Sequence, residues 1–309
     1  MDSEITALVR KQRAAILAGD KATGRRLAKQ WQAAAIRLAR KIRALETKAD
    51  LTPAELLLTE EWREVRRQLI DSYRNLYAAT YDTTTTATVN GAKLGTQHAA
   101  AQANLTGITQ SPISAISERV TNRNSPLRKV LEKRAGLQAD NAAKLLTDSI
   151  IDGSSLADTQ RVLTRQMKVD ARTAQQIVRT ETLRTYMEAA SITYQEAGID
   201  RWVWLSALDE RTCTACAGLH GTKHRSQEVQ KAHVSCRCVM VPDVDDVDVP
   251  TGETIVANMT ADQQDRILGR AAGTAYRNGE VELKDLRELK RSKVWGDSFV
   301  RKPLKRALK

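Results

Sequence analysis

All four cysteines of this 309-residue sequence lie in one short segment, between Cys213 and Cys238. They form a Cys-x2-Cys pair and a Cys-x-Cys pair, and His233 stands three positions before Cys236. Thiolates and an imidazole at such spacings are typical ligands of tetrahedral Zn²⁺, with Zn–S bonds of ~2.3 Å. The pattern predicts a zinc site for which five candidates compete for four positions: Cys213, Cys216, His233, Cys236 and Cys238.

Two other states of these thiols stay open at the level of sequence. Two disulfides would suit an oxidising environment, whereas a reducing cytosol argues against them. Some thiols would otherwise simply be reduced and buried. A catalytic zinc needs an open coordination position and a general base nearby. Glu228 is the one carboxylate between the two cysteine pairs, so the pattern favours a structural site over a catalytic one.

The residues around the cysteines favour short strands. Residues 201–205 (Arg-Trp-Val-Trp-Leu) and residues 239–241 (Val-Met-Val) are rich in β-branched and aromatic side chains, which favour strands. On a strand, Trp202 and Trp204 point to the same face. We expect both indoles to cover the cysteine site.

Long helices are predicted for the first 110 residues. Asp20 is the expected cap of a helix that reaches Leu45, and Thr52 opens a second helix through a capping box with Glu55. Both helices carry apolar residues at spacings of three and four, which predicts an antiparallel pair. Four threonines at 83–86, followed by glycines at 91 and 95, predict a kink or break in the second helix. The apolar positions are Leu27, Trp31, Ala35, Leu38, Ile42 and Leu45, and Leu58, Trp62, Val65, Leu69, Tyr73 and Leu76.

Shorter helices are expected further along the chain. Start signals stand at 111–112, 125–126, Ser155 and Asp170, and Gly153 and Gly198 are stop signals. A stretch with five acidic and no basic residues spans 243–253, and a helical pattern resumes at Thr260. The predicted fold is mainly α with a small α+β cysteine-rich module. The predicted segments are long helices (1–110), a compact helical domain (111–199), the cysteine module (200–242), an acidic linker or arm (243–259) and a helical basic tail (260–309).

The chain is basic, with 49 Lys and Arg against 37 Asp and Glu, a net charge of +12. Such a surplus suits a polyanionic neighbour such as nucleic acid. No apolar run approaches 18 residues, and charges interrupt the apolar start, so neither a membrane span nor a secretory signal is expected. The candidate phosphate-binding residues are Arg37, Arg40, Lys41 and Arg43 in the first helix and Arg301, Lys302, Lys305 and Arg306 in the tail.

An ordered set of motifs between residues 179 and 242 resembles a known family. Arg179-Thr180-Glu181 falls on a helix, and Gly198 and the tryptophan-bearing strand follow. The sequence then runs from Leu208-Asp209 to Cys216 and closes with His233-x2-Cys-Arg-Cys. This set is similar to that of the Mu F-like head morphogenesis (minor capsid) proteins of tailed bacteriophages. The resemblance marks five motif residues as structural: Arg179, Glu181, Trp202, Trp204 and Asp209.

The resemblance implies a virion protein, present in several copies inside the capsid at the portal vertex after assembly in the host cytoplasm. Its expected partners are the portal protein, capsid or scaffolding proteins and, without sequence specificity, viral double-stranded DNA. Residues 1–110 would then be the portal-docking region. It would assist head assembly, DNA packaging or ejection. The alternative is an enzyme, either a zinc-dependent nuclease or an ADP-ribosyltransferase-like protein, but no phosphate-cradling glycine loop or paired carboxylate cluster supports it.

Overall fold

The computed structural model describes residues 3–48, 50–105, 110–122, 125–244, 248–292 and 296–308. Most of them are helical, and short strands gather around the cysteine-rich segment. The predicted fold class is therefore confirmed. The helices are α1 (Ser3–Arg43), α2 (Pro53–Leu58), α3 (Glu60–Gln102), α4 (Ser111–Thr121), α5 (Pro126–Ile151), α6 (Leu156–Glu196), α7 (Thr214–Ala217), α8 (Gly252–Ala257), α9 (Ala261–Leu268), α10 (Arg270–Arg277) and α11 (Leu304–Ala307). Helices of the 3-10 type span Ala44–Lys48 and Leu283–Leu286. The strands are β1 (Arg201–Leu205), β2 (Lys223–Arg225), β3 (Val239–Pro242), β4 (Arg287–Lys290) and β5 (Ser298–Arg301).

The chain divides into two compact units. The helical unit comprises Gly19–Ala87 and Arg119–Arg179, and the cysteine-bearing unit comprises Met1–Ala18, Thr88–Glu118 and Thr180–Lys309. Three boundaries fall inside the long helices α1, α3 and α6, which contribute to both units. The five-segment division made from the sequence stays a prediction.

The helical unit is built on the two apolar seams read from the sequence. Trp31 of α1 makes edge-on contacts with Tyr73 and Tyr77 of α3, each at a ring-centroid distance of 5.6 Å. Nearer the connection, Lys48 pairs with Glu61 at 3.1 Å. This order of contacts is that of antiparallel neighbours, as the spacing predicted.

Most of the predicted helix starts are confirmed. Thr52 forms its capping box with Glu55, and Thr260 forms a second one at the start of α9. Ser125 caps α5, with Pro126 as the first helical residue, and the Ser155 hydroxyl accepts a hydrogen bond from the Asp158 N–H at the start of α6. These starts are local in origin, because each cap satisfies backbone N–H groups of its own first turn.

Two predicted caps are wrong, and α3 is continuous where a kink or break was predicted. Asp20 and Asp170 both lie inside longer helices, α1 and α6. Asp170 is buried and accepts a hydrogen bond from the Tyr73 hydroxyl at 2.8 Å, so its role is tertiary. Leu58 was placed in the apolar seam but is exposed, and Leu56 is buried instead.

Helix α3 is not interrupted at the threonines and glycines, because its small residues meet α6. A Cβ atom added at Gly91 would lie 2.6 Å from the Thr182 carbonyl oxygen, and one at Gly95 would lie 2.2 Å from that of Tyr186. The threonines fit the helix as well, since Thr84 donates to the carbonyl oxygen of Thr80 one turn earlier. The close approach of two helices thus explains residues that resemble helix breakers in isolation.

Three antiparallel strands in the order β2-β1-β3 form the sheet of the cysteine module. Val203 in β1 pairs with Lys223 in β2 and Val241 in β3. The two predicted strands, β1 and β3, are confirmed, whereas the short β2 was not predicted.

The C-terminal region contains more structure than an acidic linker and a helical tail. Helix α8 begins inside the predicted linker, and Val249 is buried against the strands. Strands β4 and β5 pair antiparallel within the predicted tail. A Cβ atom at Gly252 would lie 1.8 Å from the Ala217 carbonyl oxygen, so α8 packs closely on α7. The predicted acidic residues Asp245 and Asp246 lie outside the described residues.

Candidate metal centre

The four cysteines and His233 come from two connections of the sheet, one between β1 and β2 and the other between β2 and β3. Cys213 is the N-cap residue of α7, and Cys216 lies within that helix. His233, Cys236 and Cys238 lie in the connection between β2 and β3. Two separate turns therefore present their donor atoms to one another, as the spacing predicted.

The donor atoms form two overlapping groups of three. One contains Cys213, Cys216 and His233, and the other contains Cys216, Cys236 and Cys238; within each group all ligand atoms lie within 4.8 Å of one another. The His233 Nε2 atom lies 3.1 Å from both the Cys213 and the Cys216 sulfur. The sulfurs of Cys216 and Cys236 are 3.7 Å apart. Two ligands of a tetrahedral Zn²⁺ with ~2.3 Å bonds stand about 3.8 Å apart, so this edge has the length that zinc needs.

The backbone orients three of these donors. The Cys213 sulfur accepts the Cys216 N–H at 3.4 Å, and the Cys236 sulfur accepts the Cys238 N–H at 3.5 Å. The His233 Nδ1 atom lies 2.8 Å from the Val234 carbonyl oxygen. A carbonyl oxygen only accepts, so Nδ1 carries a proton and Nε2 faces the thiols. Such outer hydrogen bonds orient the ligands of protein metal sites.

Cys238 differs from the other cysteines in its partner. Its sulfur lies 3.4 Å from the Ser206 hydroxyl oxygen, and that hydroxyl donates to the Cys216 carbonyl oxygen at 2.5 Å. The thiol of Cys238 is thus held in a hydrogen-bonded chain behind Cys216.

The cluster holds negative charge on two of its thiols. Hydrogen bonds from Cys216 and His233 lower the pKa of Cys213 to about 4, and hydrogen bonds from Cys216 and Cys238 lower the pKa of Cys236. Burial lowers the pKa of His233, but hydrogen bonds to Cys213 and Cys236 outweigh it and raise that pKa to about 11. Cys213 and Cys236 therefore favour the thiolate, the form in which cysteine binds metals, whereas hydrogen bonds to Cys213 and Cys236 raise the pKa of Cys216.

An ion pair joins the two cysteine turns. Arg237, between Cys236 and Cys238, donates two hydrogen bonds to the two carboxylate oxygens of Asp209, at 2.6 and 2.5 Å. Asp209 also accepts the N–H of Arg211. The Arg237 guanidinium lowers the pKa of Asp209 below its usual range. Asp209 was selected from the sequence as a motif residue; Arg237 was not, although the basic residue of the Cys-Arg-Cys sequence was the available signal.

The Arg-Thr-Glu motif on α6 reaches the cluster through its central residue. The buried Thr180 hydroxyl accepts the N–H of Ser235 at 3.4 Å, and Ser235 holds a left-handed backbone conformation with φ 59°. Ser235 lies between His233 and Cys236, so Thr180 holds the turn that carries both. Glu181 accepts a hydrogen bond from Arg184 at 2.9 Å, and Arg179 belongs to the helical unit.

Trp202 and Trp204 lie on the same side of β1 and share one buried cluster with Cys216, Cys236 and Cys238. The ring of His224 stacks on Trp202 at a centroid distance of 4.4 Å. The expected cover over the cysteine site is present. His220 accepts the Ser206 N–H at Nδ1 at 3.0 Å and is buried in the module.

The candidate phosphate-binding residues lie on exposed surfaces. Arg37, Arg40, Lys41 and Arg43 are exposed on α1, and Leu38 and Ile42 between them are buried. In the tail, Arg301, Lys305 and Arg306 are exposed and Lys302 is half-buried. Arg306 pairs with Glu288 at 2.7 Å. No described helix is long and apolar enough to cross a membrane.

Fold and site together define a mainly helical protein with a small module in which four cysteines and a histidine are clustered. Residues 140–241 match the family model described as Phage Mu protein F like protein. This match contains the whole cysteine cluster, and it confirms the resemblance of this part of the chain to the Mu F-like phage head morphogenesis proteins. Neither a curated protein nor a solved structure matches the chain.

Proposed function

We propose that this chain is a structural minor head protein of a tailed bacteriophage, bound at the portal vertex inside the capsid and assisting head assembly, DNA packaging or ejection. The observation that carries the proposal is the Mu F-like match over residues 140–241. Long exposed helices with many cations suit contacts with other head proteins and with packaged DNA.

Co-expression with the portal protein of the same phage tests this proposal. We expect a complex that survives purification at several salt concentrations, and we expect the chain in purified virions and their precursors. A chain that stays separate from the portal at every salt concentration, and is missing from particles, would overturn the portal assignment.

The cysteine cluster supports a structural zinc site. The proposed donor set is Cys213, Cys216, His233 and Cys236. Cys213 and Cys216 both face His233, Cys216 also faces Cys236, and two of the sulfurs receive backbone N–H groups. Zinc bound there would join α7 to the connection between β2 and β3. A small module gains folding free energy directly from such a metal.

The metal content of two variants tests whether Cys236 or Cys238 is a zinc ligand. We expect about one zinc per purified chain by elemental analysis. Cys236→Ser removes most of it, whereas Cys238→Ser keeps it, because Cys238 bonds Ser206 instead. Loss of zinc in both variants to the same extent would assign Cys238 to the donor set, and a wild-type chain without metal would remove the zinc proposal.

Two groups of cations support non-specific DNA binding, and all of them except the half-buried Lys302 are exposed. They are Arg37, Arg40, Lys41 and Arg43 on α1 and Arg301, Lys302, Lys305 and Arg306 in the tail. Phosphate contacts make such binding fall steeply with salt and independent of sequence. Filter binding or anisotropy with two unrelated duplexes measures both properties. Equal affinities and a steep salt slope are expected; a single preferred sequence or a flat salt slope would contradict the proposal.

A further inference from the structure

A groove in the helical unit has an apolar floor and cationic rims. It has a volume of about 590 Å³ and lies between α1 and α6. Its floor contains Trp31, Ala35, Met167 and Ala171. Gln175 donates to the Gly24 carbonyl oxygen at 3.0 Å and joins the two helices near one end. The α1 wall runs from Ala28 to Ala39, about 17 Å at 1.5 Å per residue, which is the length of a three-turn helix.

The rims of the groove carry cations on both sides. On α1, six residues form a single stripe along one side of the helix, because they are spaced by four, three, four, four and three positions. It consists of Arg25, Lys29, Gln32, Ile36, Arg40 and Arg43. On α6, Lys168 and Arg172 line the opposite rim. Residues 21–43 contain eight Lys and Arg and no carboxylate.

These cations have no carboxylate partner within the part of the chain that the structure describes. No ion pair there includes the four basic residues of the α1 stripe or the two of α6. Ile36 lies among them and is 45% exposed. An apolar floor with an exposed isoleucine and unpaired cations on both rims is complementary to one kind of partner surface.

We propose that this groove binds an amphipathic helix of a partner protein, with apolar residues on one face and carboxylates on both flanks. The apolar face would cover Ile36 and the floor, and the carboxylates would pair with the rim cations. Small residues such as Ala35 and Ala171 allow a helix backbone to approach closely. A DNA duplex has no apolar face to fill the floor, so its phosphates suit the other cations of α1 better.

The inference stands apart from the proposed head function, since it uses only the chemistry of this surface. It divides the candidate phosphate-binding residues of α1 into two sets. Arg40 and Arg43 lie on the groove stripe, whereas Arg37 and Lys41 lie further around the helix. The second pair therefore provides a matched control on the same helix.

The test uses the full chain and two labelled helical peptides of about three to four turns. Each has leucines on one face; one carries glutamates on its flanks and the other lysines. Fluorescence anisotropy is expected to show micromolar binding of the glutamate peptide and much weaker binding of the lysine peptide. Lys168→Glu/Arg172→Glu should weaken the glutamate peptide about tenfold and strengthen the lysine peptide.

Two further variants complete the test. Ile36→Glu, at an exposed position, should weaken the glutamate peptide about fivefold or more, because it removes apolar contact and adds a like charge. Arg37→Glu/Lys41→Glu should leave peptide binding unchanged. Circular dichroism verifies that each variant stays folded.

Three results would overturn the proposal. The first is no binding of the glutamate peptide by the folded wild-type chain. The second is an equal loss in the Arg37→Glu/Lys41→Glu control. The third is DNA binding that depends on Lys168 and Arg172 while Ile36→Glu has no effect on the peptide, which would make the groove a phosphate-binding surface.

Discussion

The cysteine module and the helical unit differ in the kind of contacts at their centres. The module, residues 200–242, has short strands and long connections, and its donor atoms meet across two turns. The helical unit relies on apolar seams that repeat along long helices, with Trp31, Tyr73 and Tyr77 at its centre. With the proposed zinc bound, the module would lose a metal cross-link when one donor is lost. The repeated apolar seam of the helical unit instead distributes its stability over many contacts.

Metal removal should separate the two regions most strongly. We expect a zinc chelator to destabilise strands β1 and β3 by about 3 kcal/mol or more, because zinc binding then no longer contributes to folding. Hydrogen exchange measured by mass spectrometry should show fast exchange at 201–205 and 239–242. Residues 60–87 of α3 should keep their protection.

A single substitution can replace the chelator in this experiment. Cys216 belongs to both groups of donors, so Cys216→Ser should reproduce the effect of the chelator without it. Equal loss of protection in α3 would show that the two regions do not differ as described. Unchanged exchange in the strands after verified metal loss would do the same.

Glycine substitutions test close packing in the cysteine-bearing unit. Gly95→Ala places a methyl group 2.2 Å from the Tyr186 carbonyl oxygen, so we expect a loss of about 2–3 kcal/mol. The intrinsic helix preference of alanine, worth up to ~1 kcal/mol, opposes this loss but is smaller. Urea unfolding followed by circular dichroism measures the change.

Gly136 in α5 is the matched control. It is exposed and nothing lies within 4 Å of an added Cβ atom. Gly136→Ala should therefore stabilise the chain by about 0.5–1 kcal/mol. A stabilising Gly95→Ala would mean that α3 and α6 do not approach as closely as the structure has them.

These two glycines show what the sequence predicts and what it does not. Helix starts at Thr52, Ser125 and Thr260 follow from local hydrogen bonds, so a single stretch of sequence predicts them. A glycine inside a helix can also mark a place where another segment packs too closely for a side chain. For Gly95 that segment is α6, about 90 residues away, so the local sequence does not reveal it. For the same reason Asp170 was misassigned, since its partner Tyr73 is distant in sequence.

The grouping of the cysteines with His233 could be predicted from the sequence because cysteine and histidine at these spacings have a specific chemistry. The donors form two overlapping groups of three, and the two tryptophans of β1 share a buried cluster with Cys216, Cys236 and Cys238. The contributions of Thr180 and Arg237 could not be derived from spacing, because a hydroxyl or guanidinium has many possible partners. Their contacts with Ser235 and Asp209 depend on how α6 and the turns pack.

The buried hydrogen bond of the helical unit should matter less than the packing above. Tyr73→Phe removes the donor to Asp170 and leaves a buried carboxyl group with one partner fewer, so we expect a loss of about 1–2 kcal/mol. Gln166 still donates to that carboxyl group at 3.1 Å. Exchange should accelerate in α3 and α6 but not in β1 or β3.

The contribution of Asp170 to the free energy of unfolding depends on pH. Burial raises the pKa of Asp170, although hydrogen bonds from Tyr73 and Gln166 partly oppose the rise. Its contribution to stability is therefore full below the unfolded pKa and is lost as pH rises through the higher folded pKa. Asp170→Asn should remove that part of the pH dependence from urea unfolding curves. An unchanged slope would show that the carboxyl group does not titrate in this range.

The ion pair between the cysteine turns should have the smallest effect. Asp209→Asn keeps the size of the side chain and weakens the two hydrogen bonds from Arg237, so we expect a loss of about 1 kcal/mol. Half-exposed pairs are screened by solvent, which keeps the loss modest. Because Arg237 lowers the pKa of Asp209, this stabilisation is present above the unfolded pKa and is lost as pH falls. Zinc content should stay near one per chain, since neither residue is a proposed ligand. Loss of zinc in Asp209→Asn would mean that the ion pair, and not the backbone turns alone, sets the distance between Cys216 and Cys236.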